Sequence, residues 1–315
     1  MAFYIGLDVG GTTSKYGLFD SQGNILNTKV IPSHSDEKED FIHRLAQGAR
    51  DLLEENNLLY EDLQAMGIGV PGPVIHQTFV PTCVNLAWRN IDVGALLRKE
   101  LPGKIIKLGN DANLAALGEK WKGAGKDVDS LVLITLGTGI GGGIVFGNHL
   151  ISGYHGAAGE VGHISILDHD LDRLCNCGKR DCIELIASAT GIIAQAKEKL
   201  KSSDRSSRLR KYQGELTARE IFLEAKLGDP IAMEVLEHTA YYLAKTIGII
   251  SVTLDPELFV IGGGVSNAGD QLLDPVRKYY KNFCFPTGKD TPIVQAELGN
   301  QAGMVGACKL VLGEI

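Results

Sequence analysis

The feature that most constrains this chain is a pattern that occurs three times: an apolar run of strand length followed by a glycine turn. Residues 3–8 lead into Gly10-Gly11-Thr12, residues 131–136 into Gly137-Thr138-Gly139, and residues 258–261 into Gly262-Gly263-Gly264. Glycine lets backbone N–H groups converge on an anion with no Cβ in the way, and a hydroxyl such as that of Thr12 or Thr138 adds a donor. Any one of these turns alone reads as a tight hairpin or a strand-to-helix connection. Three of them together point to phosphate. No Walker sequence is present, and Gly137-x-Gly139-x-x-Gly142 runs on into a strand at residues 143–146, which argues against a dinucleotide fingerprint.

Around these turns the pattern is that of a mixed α/β protein. Residues 3–8, 14–19 and 25–30 read as three short strands joined by hairpin turns. Phe41, Leu45, Ala49, Leu52 and Leu53 then recur at helical spacing, residues 65–70 and 105–108 read as strands, and residues 112–121 as a compact helix. Further helices are predicted over 183–200, 217–226, 231–253 and 302–312. A chain of 315 residues suits two domains with a cleft between them. The expected division is a small α/β lobe, 1–110, completed by 301–315, and a large lobe, 111–300, that carries a metal loop at 163–184.

Composition removes several classes of function. The net charge of −7, with 31 Lys+Arg against 38 Asp+Glu, gives no basic surface for nucleic acid, and the one basic stretch, residues 205–211, reads as a solvated loop. No run reaches the roughly 20 apolar residues that span a bilayer. Asp8 interrupts the apolar start before it could serve as a signal core, so no membrane partner is expected and the cytoplasm is the expected location.

Six cysteines are too few for a disulfide scaffold, and three of them, Cys175, Cys177 and Cys182, crowd together downstream of His163 and His169. Three thiolates and an imidazole are the ligand set of a closed tetrahedral zinc site, and spacing alone leaves open which histidine completes it. Asp111 lies between the strand at 105–108 and the helix at 112–121. By position alone it reads as the helix N-cap.

These motifs resemble the ROK family of the actin-like ATPase superfamily, along nearly the whole chain. The resemblance rests on Asp8-x-Gly10-Gly11-Thr12, Leu136-Gly-Thr-Gly139, Ile261-Gly262-Gly263-Gly264, Asn110-Asp111 with Gly118-Glu119, and residues 159–184, in which Asp181 replaces a usual glycine. It implies a two-lobed, ribonuclease H-like α/β fold and a kinase that uses ATP, Mg²⁺ and Zn²⁺. Asp8 would orient Mg²⁺, the three glycine turns would surround the nucleotide, and Asp111 would be the general base. His163 would join the cysteines on zinc and, with Gly72, Asn85, Asn110, Glu160 and Glu184, would line a hexose site between the lobes. Glucose, phosphorylated at its 6-hydroxyl, is the expected substrate; N-acetylmannosamine, N-acetylglucosamine, fructose and allose are the alternatives. A sugar-sensing ROK repressor is disfavoured because the first phosphate motif begins at Asp8, with no helix-turn-helix ahead of it. The family also implies a homodimer.

Overall fold

The computed structural model describes residues 2–33, 38–147, 149–168, 171–212 and 214–313. The chain forms two compact units, one from residues 1–127, 143–159 and 297–315, the other from residues 128–142 and 160–296.

In the first unit, strands β1 (Phe3–Val9), β2 (Thr13–Asp20) and β3 (Ile25–Pro32) form the expected antiparallel meander. Helix α1 (Lys38–Glu54) follows, then β4 (Leu63–Val70), a small hairpin of β5 (Phe79–Cys83) and β6 (Trp88–Asp92), helix α2 (Val93–Glu100), β7 (Ile105–Asn110) and α3 (Asp111–Lys122). The sheet order is β3-β2-β1-β4-β7, with β1, β4 and β7 parallel. Residues alternate along β1 and β2 so that Ile5, Leu7, Tyr16 and Leu18 enter one core with Phe41, Leu45 and Leu52 of α1 and Trp88 of β6.

The chain continues with β8 (Ser130–Leu136), β9 (Ile140–Phe146), β10 (His149–Leu150), α4 (Glu184–Ala187), α5 (Ala189–Ser202), α6 (Ala218–Lys226), α7 (Pro230–Leu254), β11 (Leu258–Gly262), α8 (Asp270–Tyr280) and β12 (Ile293–Gln295), of which β10 and most of β9 fall in residues 143–159 of the first unit and the rest in the second. The second sheet runs β10-β9-β8-β11-β12, with β8, β11 and β12 parallel. Asp229 caps α7 by accepting the N–H groups of Ile231 and Ala232, and Pro230 occupies the first helical position, where its missing N–H is no loss. The closing helix α9 (Ala302–Leu312) returns to the first unit. There it lies directly on the sheet: a Cβ at Gly67 would fall 1.8 Å from the Ala307 carbonyl oxygen, and one at Gly306 would fall 1.7 Å from that of Leu114 in α3.

Two departures from the sequence reading have local causes. The helix expected over 183–200 is two helices, because Ser188 is extended and its hydroxyl accepts the Gly191 N–H, which restarts the helix as α5. Helix α8, unforeseen, carries Pro275 in its interior. Among the described residues no helix is long and apolar enough to cross a membrane.

Candidate active site and metal centre

Parallel pairing puts the carboxyl ends of β1, β4 and β7 side by side, which is where open α/β sheets hold ligands. Asp8 is in register with Gly69, Gly69 with Gly109, and Val70 with Asn110. At Gly69, a Cβ would lie 3.5 Å from Asp8 Oδ1 and 3.7 Å from the Asp111 Cα, so the two aspartates flank one glycine. Gly303, in the first turn of α9, faces the Asp8 carboxylate so closely that a Cβ there would meet its Cγ at 2.7 Å. Burial raises the Asp8 pKa above the usual carboxylate range, and its cross-strand neighbour Lys15 pulls it the other way.

Asp111 is not the helix cap. That role falls to Asn110, whose side-chain oxygen accepts the Asn113 N–H at 3.1 Å, while its amide nitrogen donates to the Gly72 carbonyl at 3.2 Å. Asp111 is the first residue of α3, and its Oδ1 accepts the adjacent Ala112 N–H at 2.8 Å. Capping therefore does not account for the aspartate. Gly72 is needed for chain packing, since a Cβ would fall 2.6 Å from the Thr82 carbonyl oxygen. Asn85 is exposed in a short turn, Val84–Leu86, beside Gly11: a Cβ at Gly11 would be 3.5 Å from that of Asn85. The Gly10 N–H donates to the Thr13 carbonyl and the Thr12 carbonyl accepts the Ser33 N–H, closing the first glycine turn. Trp88, close to these loops in sequence, is core and packs on Phe41.

Glu119, buried farther along α3, accepts backbone N–H groups from Ala124, Glu297 and Leu298. Three charge-assisted bonds make it a structural clamp between α3 and the approach to α9.

In the second unit the other two glycine turns end the adjacent parallel strands β8 and β11. Gly263 has φ +81°, and a Cβ there would strike the Leu136 carbonyl oxygen at 2.5 Å, so one turn seats against the other only with glycine at this position. Gly262 makes ordinary contacts and Gly264 faces open space. The turn at Gly137-Thr138-Gly139 is tied down by α5: Ala189 N–H donates to the Gly137 carbonyl and Thr190 Oγ1 to that of Thr138. Sequence reading missed this pair because it ran one helix through Ser188; a Ser-x-x-Gly cap was the available signal. Glu184 also anchors the turn, with Oε2 accepting the Ile140 N–H at 2.8 Å.

The metal candidates converge. The ligand atoms of His163, Cys175, Cys177 and Cys182 all lie within 4.8 Å of one another. His163 Nδ1 is 3.4 Å from Cys175 Sγ, and Cys177 Sγ is 3.4 Å from Cys182 Sγ, close to the ligand separations of about 3.5–3.8 Å that Zn–S and Zn–N bond lengths give in a tetrahedron. All three cysteines are free thiols. Burial pushes the Cys175 thiol up to about 11 and that of Cys182 higher still, whereas in exposed Cys177 a little desolvation is outweighed by hydrogen bonds from the Lys179 N–H and the neighbouring thiols, which lower it; a bound cation would favour the thiolate form of all three. The donor set fits zinc. The other ring nitrogen of His163, Nε2, points to Glu160, at 3.8 Å from its Oε2. Lys179 holds the loop by donating to the His163 carbonyl and the Ser165 hydroxyl. Asp181 does not have a positive φ, so this position has no need of glycine, and its carboxylate accepts the Ser165 hydroxyl at 3.1 Å. His169 lies outside the described residues.

Residues 4–314 match the ROK family. The chain is 40% identical to a glucokinase of Halalkalibacterium halodurans, over 98% of this chain and 94% of that one. The crystal structure of a ROK family glucokinase from Streptomyces griseus in complex with glucose and AMPPNP is similar in fold, with a TM-score of 0.79 at 32% identity, covering 98% of this chain and 99% of that one. A ROK family transcriptional regulator, homolog of the E. coli MLC protein, reaches a TM-score of 0.88 at 27% identity, over 98% of this chain and 78% of that one. With its mixed α/β sheets, its three glycine turns and its His-Cys cluster, the chain belongs to the ROK family.

Proposed function

We propose that this protein phosphorylates glucose at the 6-hydroxyl with ATP, in the cytoplasm and as a homodimer. Likeness to glucokinases along the whole chain carries the reading. The placement of Asp8 and Asp111 on either side of Gly69, with Asn110 already serving as cap, supports a catalytic use of Asp111.

In this reading Asp111 Oδ accepts the proton of the sugar hydroxyl as its oxygen bonds to the γ-phosphorus and the bond to the β-phosphate oxygen breaks, leaving ADP. Asp8 would hold Mg²⁺ or its waters, and the ion would supply neutralisation of phosphate charge. Gly10, Gly11, Thr12, Gly137, Thr138, Gly139, Gly262, Gly263 and Gly264 surround the nucleotide. Gly72, Asn85, Asn110, Glu160, His163 and Glu184 bind the sugar. His163, Cys175, Cys177 and Cys182 would hold zinc, and ligation would leave the other ring nitrogen of His163 as a preset hydrogen-bond group.

The test is ADP release with glucose, fructose, allose, N-acetylglucosamine and N-acetylmannosamine, with the product position read by ³¹P NMR. Glucose should give the highest kcat/KM, with glucose 6-phosphate as product. A larger value for another hexose would reassign the substrate, and no turnover with any of them would favour a sugar-sensing protein.

A further inference from the structure

The first unit contains a cavity of about 1020 Å³ whose one edge is Asn110 and whose remaining walls the kinase reading does not use. Its walls come from α3, α9, the edge strand β7 and the segments around residues 74–77 and 147–154, all of one unit. Lys107, Lys120, Lys126 and Lys309 line it, and none of the described residues lining it is an aspartate or glutamate. A concave surface with one sign of charge concentrates counter-ions.

Two further observations point to a ligand. Lys120 is 8% exposed, and among the described residues it makes no ion pair. Asn113, two turns earlier on the same face of α3, is 3% exposed, and its side-chain oxygen is buried without a hydrogen-bond partner. A buried acceptor left unsatisfied is costly, and this one calls for a donor such as a hydroxyl. The rim is also strained: His76 and Gln77 are consecutive non-glycine residues at φ +53° and +57°, held by the Leu108 N–H on the Gln77 carbonyl. Strain of this kind collects at ligand sites.

We propose that this cavity is a second site, for a hydroxyl-bearing phosphate monoester of sugar-phosphate size. The phosphate pairs with Lys120, Lys107 and Lys126, and a hydroxyl donates to Asn113 Oδ1. The lysines alone recognise any small anion; Asn113 adds the preference for a polyol. Asn110 borders the cavity, but Lys107, Lys120, Lys126 and Asn113, on which the site rests, do not belong to the catalytic or hexose-binding set.

The experiment is titration calorimetry of the full chain with ribose 5-phosphate, with inorganic phosphate and ribose as controls. It is repeated on Lys107→Met/Lys120→Met and, should that variant fold poorly, on the exposed-site variant Lys126→Gln. Ribose 5-phosphate should bind the native protein more tightly than either control, about tenfold more weakly in the double variant, and more weakly at high salt, while turnover with saturating glucose stays within about twofold. Equal binding by native and variant proteins would overturn the proposal. So would inorganic phosphate binding as tightly as the ester, or sedimentation showing that the lysine substitutions change the oligomer while ribose 5-phosphate does not bind. In the last case the cavity is a surface covered by a second copy.

Discussion

Asp8 is a partly buried carboxylate in the middle of a sheet, packed between Gly69 and Gly303, and this sets both its chemistry and its effect on stability. Burial raises its pKa in the folded protein above the ordinary value near 3.9 of the unfolded chain. Between those two values the folded form holds the extra proton, so stability falls as pH rises through that window and levels off above it. An asparagine has no charge to desolvate. In magnesium-free buffer, the Tm of Asp8→Asn relative to the native protein should therefore rise from pH 3 to a plateau near neutrality, while its kcat falls by about 100-fold or more. A variant whose relative Tm drops over the same range would show that the carboxylate is stabilised by its surroundings. The sequence placed Asp8 at a strand end, but Gly303 is almost the whole chain away, and only the packing of α9 shows how closely the carboxylate is enclosed.

Among the elements, the described part of the loop from His163 to Glu184 is held largely by side-chain contacts such as those of Lys179 with His163 and Ser165 and of Ser165 with Asp181. The Cys175 N–H donates to the Lys179 carbonyl, and the Gly178 N–H returns to that of Cys175, which brings Cys177 round towards Cys182. Burial raises the Cys175 and Cys182 thiols, and their polar contacts are with His163, Glu184 and one another or Cys177. Replacing Cys177 by serine should reduce zinc, measured by plasma mass spectrometry, from about one ion per chain to well below half, and should raise KM for glucose about 10- to 100-fold. The loop should also become sensitive to protease. Unchanged zinc content would mean that the ligands are misassigned. This element was legible because thiol spacing is a local property. The elements that sequence reading missed, such as β5, β6 and α8, lack the usual local marks: the β5–β6 hairpin turns through Ala87 in the left-handed region with no glycine there, and α8 carries Pro275 within its amphipathic run.

For the whole molecule, the order of apolar runs and glycine turns was enough to anticipate two sheets and a closing helix, because each strand end carries its own punctuation. What it could not give was the distribution of roles around one helix. Position in the sequence assigned the cap of α3 to Asp111, whereas the folded chain gives it to Asn110, whose amide spans Asn113 and Gly72. Gly118-Glu119, part of the same motif, turns out to hold the fold, through the three N–H groups on Glu119. Because the cap is Asn110, Asp111 can be changed without removing it, which separates catalysis from stability. The most direct measurement is kcat for glucose phosphorylation by Asp111→Asn beside its thermal unfolding. The account predicts a kcat lower by about 100- to 10,000-fold, with Tm within a few degrees of the native value. Turnover that survives unchanged would contradict it.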